Sequence, residues 1–225
     1  MRATVSLTFD DGLPCQYNTA IPMLNNYGLV GTFFVIVDPP EPYVKEFATN
    51  KWRDAIQKGH EIGSHSVTHC KAAELNHQTA YRETASSKEF LQRQLKAPVT
   101  SYAHPYTDAP EFIQTALRSS GYMCARGGRV ARENKFVTKG DGVKPFNIPC
   151  YHINEGTFQD DVVFGYLEEA IRRQAWVTLM FHAVEDSTGW DNVSAASFEK
   201  LLEYLHKNKH QLGTLSFTQA YRRVS

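Results

Sequence analysis

Residues 4–12 read Thr4-Val5-Ser6-Leu7-Thr8-Phe9-Asp10-Asp11-Gly12, a six-residue run of strand character that stops on two carboxylates and a glycine. Adjacent carboxylates repel unless a cation or a shared proton separates their roles. Burying them beside an apolar run requires a compensating partner. The glycine permits a turn tight enough for both acids to face one cavity. The fragment therefore predicts a buried strand whose carboxyl end carries chemistry.

Further runs of the same character follow along the chain. Val30 to Val37, Glu61 to Ser64, Thr100 to Ala103, Trp176 to Phe181 and Leu212 to Leu215 read as strands, several of them apolar enough for a parallel sheet covered on both faces. Helical stripes lie between them. Ala80, Thr84, Ser87, Leu91 and Leu95 share one face, and Ser194 opens a helix that buries Phe198, Leu201, Leu202 and Leu205. A third helix is expected from Asp108 to Ser120, with Asp108 as cap and Gly121 as stop. This β-α alternation predicts one α/β domain over residues 1–225, its parallel sheet either closed as a barrel or open and doubly wound. Residues 126–147 show no period and read as an irregular excursion.

Composition narrows the class of partner. Lys plus Arg and Asp plus Glu number 24 each, so no global field attracts nucleic acid or an anionic membrane. No apolar run reaches the roughly 18 residues of a membrane span. Neither a leader nor an anchor is expected in the sequence as written, which fits a cytoplasmic protein or an exported one whose leader has been removed. Cys15, Cys70, Cys124 and Cys150 are widely spaced and form no Cys-x-x-Cys pair, so free thiols are expected. Cys70 follows His69 directly but is not expected to be a ligand.

Four strand ends carry reactive clusters, and in parallel α/β folds active sites lie at the carboxyl ends of strands. Asp10-Asp11 is the first. His65 and His69 form the second, four residues apart, a spacing that on a helical turn places both imidazoles on one face for a metal. The third is Tyr102-Ala103-His104-Pro105-Tyr106, whose aromatic and imidazole groups suit the wall of a sugar or acyl pocket. The fourth is Leu179-Met180-Phe181-His182, ending in an imidazole suited to donate a proton near neutral pH.

In this order the clusters resemble the polysaccharide deacetylases, the NodB-homology group of carbohydrate esterases, from Thr8 to about Leu205. The resemblance implies a distorted (β/α) TIM-like barrel of seven or eight strands and metal-dependent removal of an acetyl group from an amide nitrogen. By matching position it makes Asp11, His65 and His69 the ligands of one divalent metal ion, zinc first, with cobalt, nickel, iron and manganese also suited. It makes Asp10 the base and His182 the acid, and lines the substrate pocket with Pro105, Tyr106 and Leu179, beside which His104 reads as a wall residue from its place in the third cluster. The backbone N–H of Tyr106 would face the oxyanion. The expected partner is an N-acetylated glycan or a small amide.

The sequence departs from that pattern in two places. Ala103 stands where many members carry an arginine that braces the base, and no clear Asp-x-x-Asp-Trp motif is found, with Asn147 in the candidate region. Arg126 is the candidate to replace the missing arginine. Competing readings are hydrolysis of a non-sugar linear amide or ureide, a catalytically inactive glycan-binding barrel, and a non-haem iron oxygenase. The oxygenase leaves the second carboxylate and His182 without a role.

Overall fold

The computed structural model describes residues 2–40, 47–127, 136–140, 142–186, 188 and 190–225. Its strands are β1 (Ala3–Phe9), β2 (Gly31–Val35), β3 (Glu61–Ser64), β4 (Ser101–Ala103), β5 (Cys124–Arg126), β6 (Tyr151–His152), β7 (Trp176–Phe181), β8 (Ala183–Val184), β9 (Asn192–Val193) and β10 (Leu212–Thr214). The helices are α1 (Ile21–Asn26), α2 (Thr49–Gln57), α3 (His77–Leu95), α4 (Glu111–Ser119), α5 (Asp160–Arg173), α6 (Ala195–Lys207) and α7 (Phe217–Val224). One eight-stranded parallel sheet runs β5-β4-β3-β2-β1-β7-β6, with β10 paired to the first half of β1. A parallel bridge from Arg126 to Ile148 brings the chain leading into β6 against β5, so the two edges of the curled sheet approach each other. This is the distorted barrel that the resemblance implied.

The pleat of β1 explains why a polar strand can be central. Val5, Leu7 and Phe9 join the apolar layer between sheet and helices, whereas the alternate residues Ser6 and Thr8 stay buried on the other face. Those hydroxyls are satisfied there: Thr8 Oγ1 donates to the Leu179 carbonyl at 2.8 Å, and Ser6 Oγ accepts from Trp176 Nε1 at 3.0 Å. Phe217 of α7 packs on Trp176 and Phe34 with centroids 5.3 and 5.7 Å apart, within a separate apolar cluster. Beneath the carboxyl end, Phe9 packs on Phe33, Phe181 and Phe198 at 4.7, 5.2 and 5.9 Å, tying β1, β2 and β7 to α6.

The helical stripes fall where periodicity put them. Ala80, Thr84, Ser87, Leu91 and Leu95 are the buried residues of α3, and Phe198, Leu201, Leu202 and Leu205 those of α6, whose N-cap Ser194 accepts from Ser197 N at 3.2 Å. Two expectations need correction. The helix expected from Asp108 is shorter: Pro110 holds its N-cap position, and Asp108 makes no cap because it precedes that proline turn. Arg126 lies in β5 rather than in an irregular loop, as its ladder to β4 supplies the pairing that a three-residue strand cannot announce by period.

Candidate active site

The two acids enter the cavity through a strained turn. Asp10 N donates to the Phe181 carbonyl at 2.9 Å, continuing the β1–β7 ladder, and then Asp11 and Gly12 adopt left-handed φ of 75° and 74°. A non-glycine residue in that region costs on the order of 1–3 kcal/mol, which surrounding structure must over-determine. Gly12 is needed twice over, because a Cβ there would lie 2.7 Å from Val35 Cγ1. Gln16, buried and not singled out by sequence, donates from Nε2 to the carbonyls of Asp10 and His182, the latter at 2.9 Å. It therefore locks the ends of β1 and β7 together.

His65 and His69 meet, but not on a helical turn as their spacing suggested. Residues 65–69 form an irregular loop in which Ser66 and His69 have φ of 69° and 57°. The loop is held from outside by Glu83 of α3, which accepts from Val67 N and Thr68 N at 2.9 and 3.0 Å. His65 Nδ1 lies 2.8 Å from the Ala103 carbonyl. A carbonyl only accepts, so Nδ1 carries the proton and Nε2 presents a lone pair to the cavity. Burial, the largest influence on His65, pushes its pKa down to about 3 and keeps the ring neutral.

That lone pair converges with two others. His65 Nε2 and His69 Nε2 stand 3.5 and 3.7 Å from Asp11 Oδ1. Such gaps are too long for hydrogen bonds and close to the roughly 3.3 Å between ligand atoms bound tetrahedrally at about 2.0–2.1 Å. The donor set, the fixed His65 tautomer and the spacing all fit a divalent cation.

Asp10 has a different partner. Its Oδ2 is ion-paired with Arg126 Nη2, fully buried, while its Oδ1 has no hydrogen-bond partner among the described residues. Burial alone raises the Asp10 pKa. The guanidinium outweighs it, with His65 and His182 adding, and the carboxyl is held below its ordinary value. Ala103 and Arg126 are register partners across β4 and β5, so the small residue on one strand leaves room for the long one beside it. The guanidinium also touches Cys150 Sγ at 3.2 Å and lies over the Phe34 ring at 5.6 Å.

His182 gains its carboxylate from the segment ahead of β9. Asp191 Oδ2 forms an ion pair with His182 Nδ1, close but not aligned as a good hydrogen bond, and also contacts His152 Nε2 at 2.8 Å. Asn154 Nδ2 donates to the other oxygen at 2.7 Å. Burial opposes charge on His182, but Asp191, with Asp10 and Asp11 behind it, wins and raises its pKa. Glu185 and Asp186, nearer in sequence, serve the backbone instead, accepting from Ala195 N and Thr188 N at 2.6 and 2.8 Å. Nothing in the sequence singled out Asp191 or His152; the cue available was a Trp-Asp pair in a loop that returns to its own strand end.

Asp10, Asp11, His65, His69, His182 and Asp191 line one cavity of about 380 Å³, bounded also by Pro40, Tyr106, Thr107, Met180 and Trp190. Tyr106 (φ 55°) is 53 % exposed and sets its ring 4.7 Å from that of His69, while Trp190, 51 % exposed, meets His182 edge-on at 5.1 Å. Three residues expected in the wall lie elsewhere. His104 is buried with Nε2 2.9 Å from the Phe146 carbonyl, and burial brings its pKa down to about 4. Pro105 is buried beneath the 65–69 loop, beside Ser66 and Cys70. Leu179 packs in the layer beneath the helices, because the pleat of β7 turns Met180 toward the cavity instead. All four cysteines are free, and Cys70 is not among the converging donors.

The fold and site together define a parallel α/β barrel with a histidine- and carboxylate-lined cavity at the carboxyl ends of its strands. The chain belongs to the polysaccharide deacetylase family, whose pattern it matches over residues 2–125. It is similar to a gellan lyase of Bacillus sp, 33 % identical over 123 residues that make up 54 % of this chain and 5 % of that protein. It is also similar to a peptidoglycan-N-acetylglucosamine deacetylase of Bacillus cereus, 28 % identical over 120 residues, 52 % of this chain and 40 % of that one. The chain thus spans less than half the length of either relative. In fold it resembles the Xyl-CE4 domain of a multidomain xylanase from the hindgut metagenome of Trinervitermes trinervoides, with TM-score 0.66, 16 % identity and coverage of 99 % and 91 % of the two chains.

Proposed function

We propose that this chain hydrolyses the amide of an N-acetylated glycan, releasing acetate and a free amine, with a divalent cation held by Asp11, His65 and His69. The observation that carries this reading is the contrast around Asp11: two imidazoles whose pKa burial lowers stand 3.5 and 3.7 Å from one carboxylate oxygen, facing a cavity that also holds a braced acid and a histidine whose pKa its carboxylate partner raises. Zinc suits two nitrogen donors and one oxygen donor, as do cobalt, nickel, iron and manganese. When bound, such a cation supplies a more acidic water and a polarised acyl carbonyl.

The chain's own groups do the rest. Asp10 Oδ1 accepts the proton of the attacking water, since Oδ2 is engaged by Arg126. Arg126 keeps that carboxylate ionised and fixed, in the place left by Ala103. His182, whose pKa the Asp191 carboxylate raises, delivers a proton to the departing nitrogen as the C–N bond breaks. The backbone N–H of Tyr106 stabilises the oxyanion. Exposed Tyr106 and Trp190 offer apolar faces of the kind sugar rings stack on. The test is acetate or ammonia release from a panel of N-acetylated glycans, small acetamides and linear ureides after metal reconstitution. Release from glycans alone supports the proposal; release only from small amides or ureides transfers the chemistry to a non-sugar substrate, and release from none contradicts it.

A further inference from the structure

A second set of donors converges beside the first. His152 on β6, His182 after β7 and Asp191 ahead of β9 offer two imidazole nitrogens and a carboxylate oxygen within 4.8 Å of one another. The side chains are 20 %, 13 % and 14 % exposed, so the cluster is reachable from solvent yet largely enclosed. The imidazole planes cross at 85° with centroids 5.5 Å apart, and their edges approach the same oxygen from different directions. Asn154 holds the other oxygen at 2.7 Å and leaves Oδ2 as the meeting point.

Without a cation, Asp191 Oδ2 takes His152 Nε2 at hydrogen-bond length and is ion-paired with His182 Nδ1. A transition-metal cation competes for just such nitrogen lone pairs, and binding releases the protons. Spreading the donors to the roughly 3.3 Å of a tetrahedral site asks for movements of no more than about 1 Å. We propose that His152, His182 and Asp191 form a second divalent-cation site, which at high zinc concentration occupies His182 and stops turnover. A cation on Nδ1 replaces the proton there and removes the imidazolium form, the form able to donate to a leaving amine. The inhibitory half rests on the reading of His182 as proton donor; the binding half does not.

The experiment adds zinc chloride to protein already carrying one zinc per chain and follows bound zinc by equilibrium dialysis, with acetate release measured on the same samples. The expected result is a second equivalent accompanied by at least a tenfold fall in rate. In His152→Ala and in the gentler His152→Gln, each checked for folding by circular dichroism, the second equivalent should weaken at least tenfold. The zinc concentration that halves each variant's own rate should rise in parallel. Asp191→Asn should lose the second equivalent while keeping the first. A wild-type protein that saturates at one zinc overturns the site, and so does a second equivalent that persists in all three variants. A second equivalent that depends on His152 but leaves the rate unchanged overturns the inhibitory half and the assignment of His182 as donor, without touching the first site.

Discussion

Asp10 and His182 flank the same cavity but are held by opposite charges, and this division of labour is what single substitutions resolve. Asp10→Asn and His182→Ala are each expected to lower turnover by about a hundredfold or more while metal content stays intact. Arg126→Ala should do the same and carry a stability cost besides, about 3–5 kcal/mol by urea unfolding, because it leaves a buried carboxylate without its counter-charge. A silent Arg126→Ala would reduce the ion pair to packing. With His182 as the proposed proton donor, Asp191 is expected to set the alkaline side of the rate profile. Its carboxylate raises the His182 pKa, so the donor keeps its proton to higher pH than an isolated imidazole. In Asp191→Asn that support is lost, and the alkaline limb of the rate should move to lower pH; an unmoved limb would mean that another group titrates there. Of these residues, Asp10, Asp11, His65, His69 and His182 were legible in the sequence because reactive types closed apolar runs. Asp191, His152 and Gln16 were not, since each reaches the site from a segment without period, and only tertiary pairing aims it.

At the level of elements, long buried strands announced themselves and short ones did not. Thr4 to Phe9 and Trp176 to Phe181 carry enough apolar residues to be read alone. The three residues of β5 become a strand only through register with β4, and their pairing moved Arg126 from an expected loop to its ion pair with Asp10. The 65–69 loop shows the same limit, because its shape depends on Glu83, fourteen residues beyond His69. A close approach between neighbouring strands supports both. Gly63 on β3 pairs with Phe34 on β2, and a Cβ there would fall 2.5 Å from that ring and 2.7 Å from Ser101 Oγ. Gly63→Ala should therefore cost about 1–3 kcal/mol in urea unfolding, as overpacking does. A change within experimental error would show that the Phe34 ring moves aside freely.

Over the whole molecule, two histidines outside the cavity are expected to weaken the fold in acid. His60 accepts from Gly31 N at 3.0 Å through Nδ1, which requires an unprotonated nitrogen, and His104 is sealed beneath the β4 turn. Burial brings both pKa values down to about 4 from an ordinary value near 6.5. The unfolded chain then binds more protons between those limits, so stability present above about pH 6.5 is lost as pH falls toward 4, by up to about 3 kcal/mol per histidine. Urea unfolding across that range should show the loss, and His60→Gln should flatten part of it; a flat profile in the parent protein would contradict the burial argument. The most direct test of the account joins cation, cavity and chemistry in one assay: acetate released from an N-acetylglucosamine oligosaccharide by protein stripped with chelator, by the same protein restored with zinc, and by restored His65→Ala. The account predicts release from the zinc-restored protein alone. Equal release from the stripped and restored samples, or none from a protein shown to carry one zinc, would contradict it.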